Sequence, residues 1–175
     1  MNNEMKIWQG DITTLKVDAI INAANKSLQG GGGVDGAIHR AAGPQLLEAT
    51  KKLGGAETGE AKITEGFKLP AKYIIHTVGP VYNDGKSNEA ELLEDCYKNS
   101  LELADEYQLK KIAFSAISTG VYGYPLEEAS EIAVSTVAHL LPKMINVEEV
   151  TFVVFDHSMK EIYDKTFEKL NIQNA

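Results

Sequence analysis

Residues Asn22 to Gly43 read NAANKSLQGGGGVDGAIHRAAG, and the fold turns on how this stretch is parsed. The four consecutive glycines, Gly30 to Gly33, strip side chains from the backbone. The chain can therefore turn sharply, and a ligand can come close to its N–H groups. VDGAIHRAA reads as a helix opening directly from that loop. A glycine-rich loop feeding a helix N-terminus suits an anionic group, because free N–H donors and the helix dipole point to one place. Asp35 and His39 stand four apart and share a helix face. Asn22, Asn25, Asp35 and His39 can then converge on whatever the loop holds. Taken singly, each feature has a plainer meaning: a linker for the glycine run, a helix cap for Asp35, a structural histidine for His39. Their crowding beside an apolar strand points to a site.

Working outward, Val17 to Ile21 (VDAII) is apolar and β-branched, as a buried strand is. Lys6 to Gln9 precedes it as a short strand ending at Gly10-Asp11. After the first helix, Pro44 opens a second, Gln45 to Leu53, in the position that proline favours. Glu60 to Glu65 alternates like a strand, and Tyr73 to Val78 (YIIHTV) is a further buried one, stopped by Gly79-Pro80. Asn83 to Ser87 (NDGKS) is a polar loop. Leu92 to Tyr107 carries Leu93, Cys96, Tyr97, Leu101 and Ala104 on one helical face, which places Cys96 in the core. Lys111 to Ile117 is a strand, Ser118 to Tyr124 (STGVYGY) a second glycine-containing loop, and Pro125 starts a helix to about Leu141. Val150 to Phe155 is the last strong strand, and Met159 to Leu170 the closing helix. Strands alternating with helices predict an α/β/α sandwich around a largely parallel sheet. Both glycine-containing loops follow a strand and precede a helix. They therefore lie at the sheet edge where ligands bind, able to grip one phosphate-bearing molecule from two sides.

Length and charge narrow the classes. The 175 residues suit one domain with a sizeable core, spanning 1–175. A net charge of −8 argues against nonspecific nucleic-acid or membrane binding through a basic face. A single cysteine, Cys96, permits no internal disulfide framework. The histidines His39, His76, His139 and His157 have no metal-ligand spacing, so neither a metal nor a cofactor is expected. No signal peptide or membrane-length apolar run is visible, which makes a cytoplasmic protein the default, with a monomer the simplest expectation.

The common nucleotide motifs fit poorly. Gly31, Gly33 and Gly36 match GxGxxG, but a Rossmann loop follows its strand at once, and here eight residues separate Asn22 from Gly31. Gly85-Lys86-Ser87 ends like a P-loop, yet Pro80 stands where the first glycine belongs. Ser115 and Ser118 lack the GxSxG elbow of a hydrolase.

Gly10-Asp11-Ile12-Thr13, Asn22-Ala-Ala-Asn25, GGGGVDGAIHRAAG, HTVGP at His76 to Pro80 and STGVYGYP at Ser118 to Pro125 together resemble the macro domain, in its MacroD-type branch. The resemblance covers nearly the whole chain. It implies a three-layer α/β/α fold around a mixed, largely parallel sheet, and binding of ADP-ribose. It also implies hydrolysis of esters at the ribose distal to adenine, in O-acetyl-ADP-ribose or in ADP-ribosylated proteins modified on carboxylates. By that resemblance Asp11 accepts a hydrogen bond from the adenine amino group, Ile12 adds a backbone contact, and Phe155 lies against the ring. Asn22 joins the ligand-binding set. Ser118, Thr119, Gly120, Val121, Tyr122 and Gly123 wrap the diphosphate, with Gly33 and Val34 closing from the other side and Tyr122 near the distal ribose. Asn25 holds ribose hydroxyls, Asp35 orients or activates a water, and His39 supports it. Without the resemblance, Asp11 reads equally well as a turn residue and Phe155 as core. Some bacterial members of that family carry a zinc site of cysteine and histidine; with one cysteine and no such spacing, this chain is expected to be of the zinc-free kind. The rival classes are a module that binds ADP-ribose without catalysis and a phosphatase of ADP-ribose 1''-phosphate.

Overall fold

The structure is a computed structural model describing residues 3–175. Six strands form one sheet in the order β1-β6-β5-β2-β4-β3. They are β1 (Glu4–Gln9), β2 (Ala19–Ala24), β3 (Ala61–Glu65), β4 (Tyr73–Val78), β5 (Lys111–Phe114) and β6 (Glu149–Val154). Among the described residues only β3, at one edge, runs antiparallel; the other ladders are parallel. The helices are α1 (Gly33–Ala42), α2 (Pro44–Leu53), α3 (Glu89–Glu106), α4 (Leu126–Leu140) and α5 (His157–Lys169).

The strands alternate apolar residues between two faces, and this alternation builds the layers. Ile21, Ile75, Ile112, Phe114 and Phe152 point to one side, where Leu93, Tyr97 and Leu101 of α3, Val134 and Val137 of α4 and Tyr163 and Phe167 of α5 cover them. Their sheet neighbours Ile20, Ile74, Ala113 and Val153 point to the other side, under Ile38 and Ala42 of α1 and Leu46 of α2. Two apolar faces need two covers, and the result is a three-layer α/β/α sandwich. Cys96 lies fully inside the larger core, as the helical spacing predicts.

Two strand ends differ from the sequence reading, and both differences shape the site. The second strand runs from Ala19 to Ala24 instead of stopping at Ile21, because Asn22, Ala23 and Ala24 pair with His76, Thr77 and Val78. β5 stops at Phe114 instead of Ile117. Its ladder to β2 ends at the Ile21–Phe114 pair, and the Ser115 hydroxyl then bonds the Ile21 carbonyl at 2.8 Å. Beyond that point β5 and β2 separate while β2 stays bound to β4. A crevice opens between them at the carboxyl edge, where ligands of open α/β sheets bind.

Candidate active site

The crevice is a cavity of about 260 Å³. Ala23, Ala24 and Asn25 from the end of β2, Gly31 to Asp35 from the first glycine loop, Gly79, and Ala116, Ser118, Gly120, Val121 and Tyr122 after β5 line it. The sequence reading quoted Ala23, Ala24 and Gly79 only as parts of motifs and did not name Ala116, and it gave none of the four a role. Their common signal is small size beside the motifs: alanine and glycine leave the room.

Close approach explains two glycines. A Cβ on Gly36 would fall 2.5 Å from the Gly31 carbonyl oxygen, so α1 can seat against its own entry loop only with glycine there. A Cβ on Gly79 would fall 2.2 Å from the Ser118 hydroxyl. That hydroxyl donates to the Pro80 carbonyl at 2.8 Å, and the Tyr82 N–H donates to Tyr122 at 2.8 Å, which ties the second loop to the segment after β4. Ser118 itself sits in the left-handed region at φ 68°, a strain tolerated because both flanks are held. Among the described residues, the N–H groups of Gly31, Gly32, Gly33 and Val34, and of Gly120, Val121 and Tyr122, take no backbone acceptor. Two sets of free donors thus belong to the two walls of one cavity, a setting for an anionic group.

Asp35 is the buried charge of the site, 5% exposed. It is the third residue of α1, whose N-cap is Gly32 without a side-chain bond, so Asp35 does not cap the helix. Its Oδ1 accepts from Asn22 Nδ2 at 2.8 Å. A Cβ on Gly31 would lie 3.2 Å from Asp35 Oδ2 and 3.3 Å from Asn25 Nδ2, which places these two polar atoms around one glycine. Burial raises the Asp35 pKa above the usual carboxylate value, against the lowering effects of the Asn22 hydrogen bond and of His39. A carboxylate made more basic in this way is better matched to proton abstraction near neutrality. His39 Nε2 lies 3.5 Å from Asp35 Oδ1, a charge contact that does not meet hydrogen-bond geometry.

The other expected residues divide into three groups. Gly33, Val34, Ser118, Gly120, Val121 and Tyr122 stand on the cavity wall with Asn25 and Asp35. Asn25 also shapes its loop: Oδ1 accepts from Ser27 Oγ and the Leu28 N–H, and Nδ2 donates to the Gly30 carbonyl. Asn22 (0% exposed), Thr119 and Gly123 do not line the cavity. Asn22, expected in the ligand-binding set, is turned inward by its place within β2 and donates to Asp35. Thr119 Oγ1 donates to the Ala116 carbonyl, and the Gly123 N–H to Gly120, so both brace the second loop. Asp11, Ile12 and Phe155 also lie outside the cavity, farther along the same sheet edge, where they follow the ends of the paired strands β1 and β6 and the Gly10 N–H bonds the Val154 carbonyl. Phe155 is 75% exposed, not core, because β6 ends one residue earlier. The Ile12 side chain is buried, leaving only its backbone available. Asp11 does serve a turn, accepting from the N–H and hydroxyl of Thr13, but through Oδ1 alone.

The NDGKS stretch is folded around a residue that the sequence reading passed over. Glu89 Oε2 accepts the N–H groups of Asn83, Asp84 and Gly85, and Oε1 that of Ser87. The donors a phosphate would need are taken by the chain's own carboxylate. These bonds, that from Asn83 foremost, hold the Glu89 pKa down at about 2. A carboxylate with a depressed folded pKa stabilises above its unfolded value, near 4.5, and that contribution is lost as pH falls through about 2. The melting temperature is therefore expected to drop across that window. Glu89→Gln should flatten the drop; an unchanged acid profile in thermal melts counts against it.

Among the described residues no cluster of His, Cys, Asp or Glu is placed to hold a metal ion, and no helix is long and apolar enough to cross a membrane. Residues 21–133 match the family model described as the Macro domain. The chain is 59% identical over 157 residues to a macro domain-containing protein of Chlorobaculum tepidum, covering 90% of this chain and 91% of the relative. It is 54% identical over 167 residues to the O-acetyl-ADP-ribose deacetylase of Salmonella typhimurium, covering 93% of each. Among solved structures, a glycine-to-valine mutant of the Oceanobacillus iheyensis macrodomain with ADP-ribose superposes with a TM-score of 0.93 at 44% identity, over 97% of this chain and 95% of the other.

Proposed function

The chain belongs to the macro domain family, and from that premise we propose that it binds ADP-ribose and hydrolyses acyl esters at the ribose distal to adenine. The substrates are O-acetyl-ADP-ribose and ADP-ribose esterified to protein carboxylates. The observation that carries the reading is the Asn22-held carboxylate of Asp35 next to Asn25, on the wall of a cavity bounded by two loops with free N–H groups. The named deacetylase among the relatives supports it.

In this reading the ligand lies along the sheet edge. Adenine packs on exposed Phe155, with its amino group donating to Asp11 and the Ile12 backbone alongside. Phe155 follows β6 and the Asp35 loop and helix follow β2, with β5 between them, so the ligand runs across the carboxyl ends of these strands. The diphosphate meets the N–H groups of the two loops. Asn25 fixes the distal-ribose hydroxyls, and Asp35 takes a proton from a water held at the ester. Water adds across the ester, the acyl group leaves as a carboxylic acid, and the sugar recovers its hydroxyl. The reaction needs positioning and a base, with no metal in any step.

The test incubates the protein with O-acetyl-ADP-ribose and, separately, with a carboxylate-linked ADP-ribosylated protein, with and without EDTA, following both products. Release of acetate and of ADP-ribose in EDTA is the expected result. Tight ADP-ribose binding without turnover would make the chain a binding module, and turnover of ADP-ribose 1''-phosphate alone would make it a phosphatase.

Asp11 offers a sharper check, since its two oxygens have separate duties. Asp11→Asn keeps the Oδ1 acceptor that holds the turn and replaces the free oxygen with a donor. A hydrogen bond to a charged acceptor contributes roughly 1.5–3 kcal/mol. ADP-ribose affinity in calorimetry is expected to fall about 10- to 150-fold, with the melting temperature unchanged. Full affinity in this variant would remove Asp11 from the adenine site.

A further inference from the structure

Behind Asp35 a buried chain of polar side chains continues past Asn22 into residues that the proposed hydrolysis does not itself use. Asn22 on β2 and His76 on β4 are register partners, so their side chains share a face. Asn22 Nδ2 donates to Asp35 Oδ1 at 2.8 Å and lies 3.2 Å from His76 Nδ1. His76 Nε2 lies 3.0 Å from Thr64 Oγ1 on β3, and that hydroxyl donates to the Glu65 carbonyl at 3.1 Å. Asn22 and His76 are both completely buried, and Thr64 nearly so.

The inventory of donors and acceptors assigns every hydrogen. The Asn22 amide nitrogen only donates, and it has two hydrogens; one goes to Asp35 and the other to His76. His76 Nδ1 must then present its lone pair, so Nε2 carries the proton and donates to Thr64. Thr64 spends its own hydrogen on Glu65. An Asn22 amide turned the other way would set its oxygen against the Asp35 carboxylate.

We propose that His76 is a positioning residue for the hydrolysis: its Nδ1 lone pair fixes the orientation of the Asn22 amide, and through it the placement and ionisation of Asp35. The inference rests on the reading of Asp35 as the base. The groups that bear on Asp35 are Asn22 from β2 and His39 on its own helix. His76 acts from β4 through Asn22, and Thr64 acts from β3 through His76. Burial first, and the charge of His39 second, lower the His76 pKa to about 3, so the ring stays neutral and the chain of bonds does not switch near neutral pH. Remove the Nδ1 acceptor and one Asn22 hydrogen is buried with no partner, a costly arrangement that the amide relieves by tilting out of line with Asp35, short of the full turn that would set its oxygen against the carboxylate. Asp35 then loses the bond that favours its charged form while its burial remains.

The experiment compares His76→Leu, which fills the space without an acceptor, with His76→Asn, whose amide oxygen can take the place of Nδ1. Thr64→Val, which keeps shape and removes only the acceptor for Nε2–H, provides a variant with the core volume preserved. Three readouts are taken: the carboxyl ¹³C titration of Asp35 in the free protein, ADP-ribose affinity, and the pH profile of kcat on O-acetyl-ADP-ribose. In His76→Leu the Asp35 titration is expected to move to higher pH. Its kcat should fall by about tenfold or more, with the acid limb moving the same way and ADP-ribose affinity held. His76→Asn should recover much of both, and Thr64→Val should shift the Asp35 titration in the same direction by less. The proposal is overturned if His76→Leu or Thr64→Val leaves the Asp35 titration where the wild type has it, or if His76→Asn shifts it as far as His76→Leu does. The carboxyl titration needs no turnover. A wild-type protein inactive on O-acetyl-ADP-ribose would therefore defeat the proposed hydrolysis while the positioning by His76 is still read directly.

Discussion

Asp35→Ala is expected to lower turnover of O-acetyl-ADP-ribose by about 10²- to 10⁴-fold, the usual cost of removing a general base or a group that orients the attacking water. ADP-ribose affinity should survive, because in the proposed pose adenine and diphosphate meet other residues. It should tighten slightly if it moves at all, since a carboxylate near an anionic ligand repels it. The alternative role for Asp35, a helix cap, predicts lower stability with normal turnover per folded molecule. The structure sets the two apart. The α1 N-cap is Gly32, and Asp35 gives its oxygen to Asn22 on the neighbouring strand. Its raised pKa means that burial outweighs its favourable contacts, so the ionised carboxylate costs stability at neutral pH. Removing it should leave the melting temperature close to the wild-type value, offset only by the partner that Asn22 loses. His39→Ala should show a milder loss of rate, in keeping with a 3.5 Å contact to Asp35. Asn25→Ala should lose both rate and affinity, because Asn25 braces the loop as well as facing the cavity. Melting temperature and turnover measured on one sample decide the matter. Wild-type turnover in Asp35→Ala would remove its catalytic role.

Phe152→Ala is expected to act the opposite way, on stability alone. Phe152 is 1% exposed on β6, an interior strand of the sheet. Its ring centre lies 6.1 Å from that of Phe114, 5.8 Å from Tyr163 and 6.0 Å from Phe167, so it joins the sheet to α5 and, through Phe114, to Tyr97 of α3. Truncating a buried phenylalanine to alanine typically costs about 3–5 kcal/mol, because the cavity left behind collapses only in part. Set against a total stability of roughly 5–15 kcal/mol, that is a large share. The melting temperature should fall by on the order of 10 °C. Below the transition, turnover per folded molecule and ADP-ribose affinity should match the wild type, since Phe152 faces away from the α1 layer that carries Asp35. A stability loss under about 1 kcal/mol would mean that this core can repack, and the aromatic cluster would not be the scaffold described here.

The sequence by itself determined the layers and the edge. Apolar runs such as YIIHTV and VTFVVF supply side chains to both faces of a strand, and helical stretches with one apolar face can only cover them. The sandwich and the rim bearing both glycine loops follow from local pattern. So does the stretch from Asn22 to Gly43, whose glycines, Asp35 and His39 sit together because a loop and one helical turn hold them together. The tertiary structure alone decided what depends on a partner distant in the chain. Asn22 turned inward because β4 extended the strand through it. Phe155 came out into solvent because the β6 ladder ended before it. The cavity opened because β5 left β2 after Phe114. Glu89 took the N–H groups of NDGKS, and His76 and Thr64 met Asn22 from two other strands. Hydrogen bonds of this kind have no period in the sequence. Burial leaves each polar group needing one partner, and only the packed sheet settles which residue that partner is.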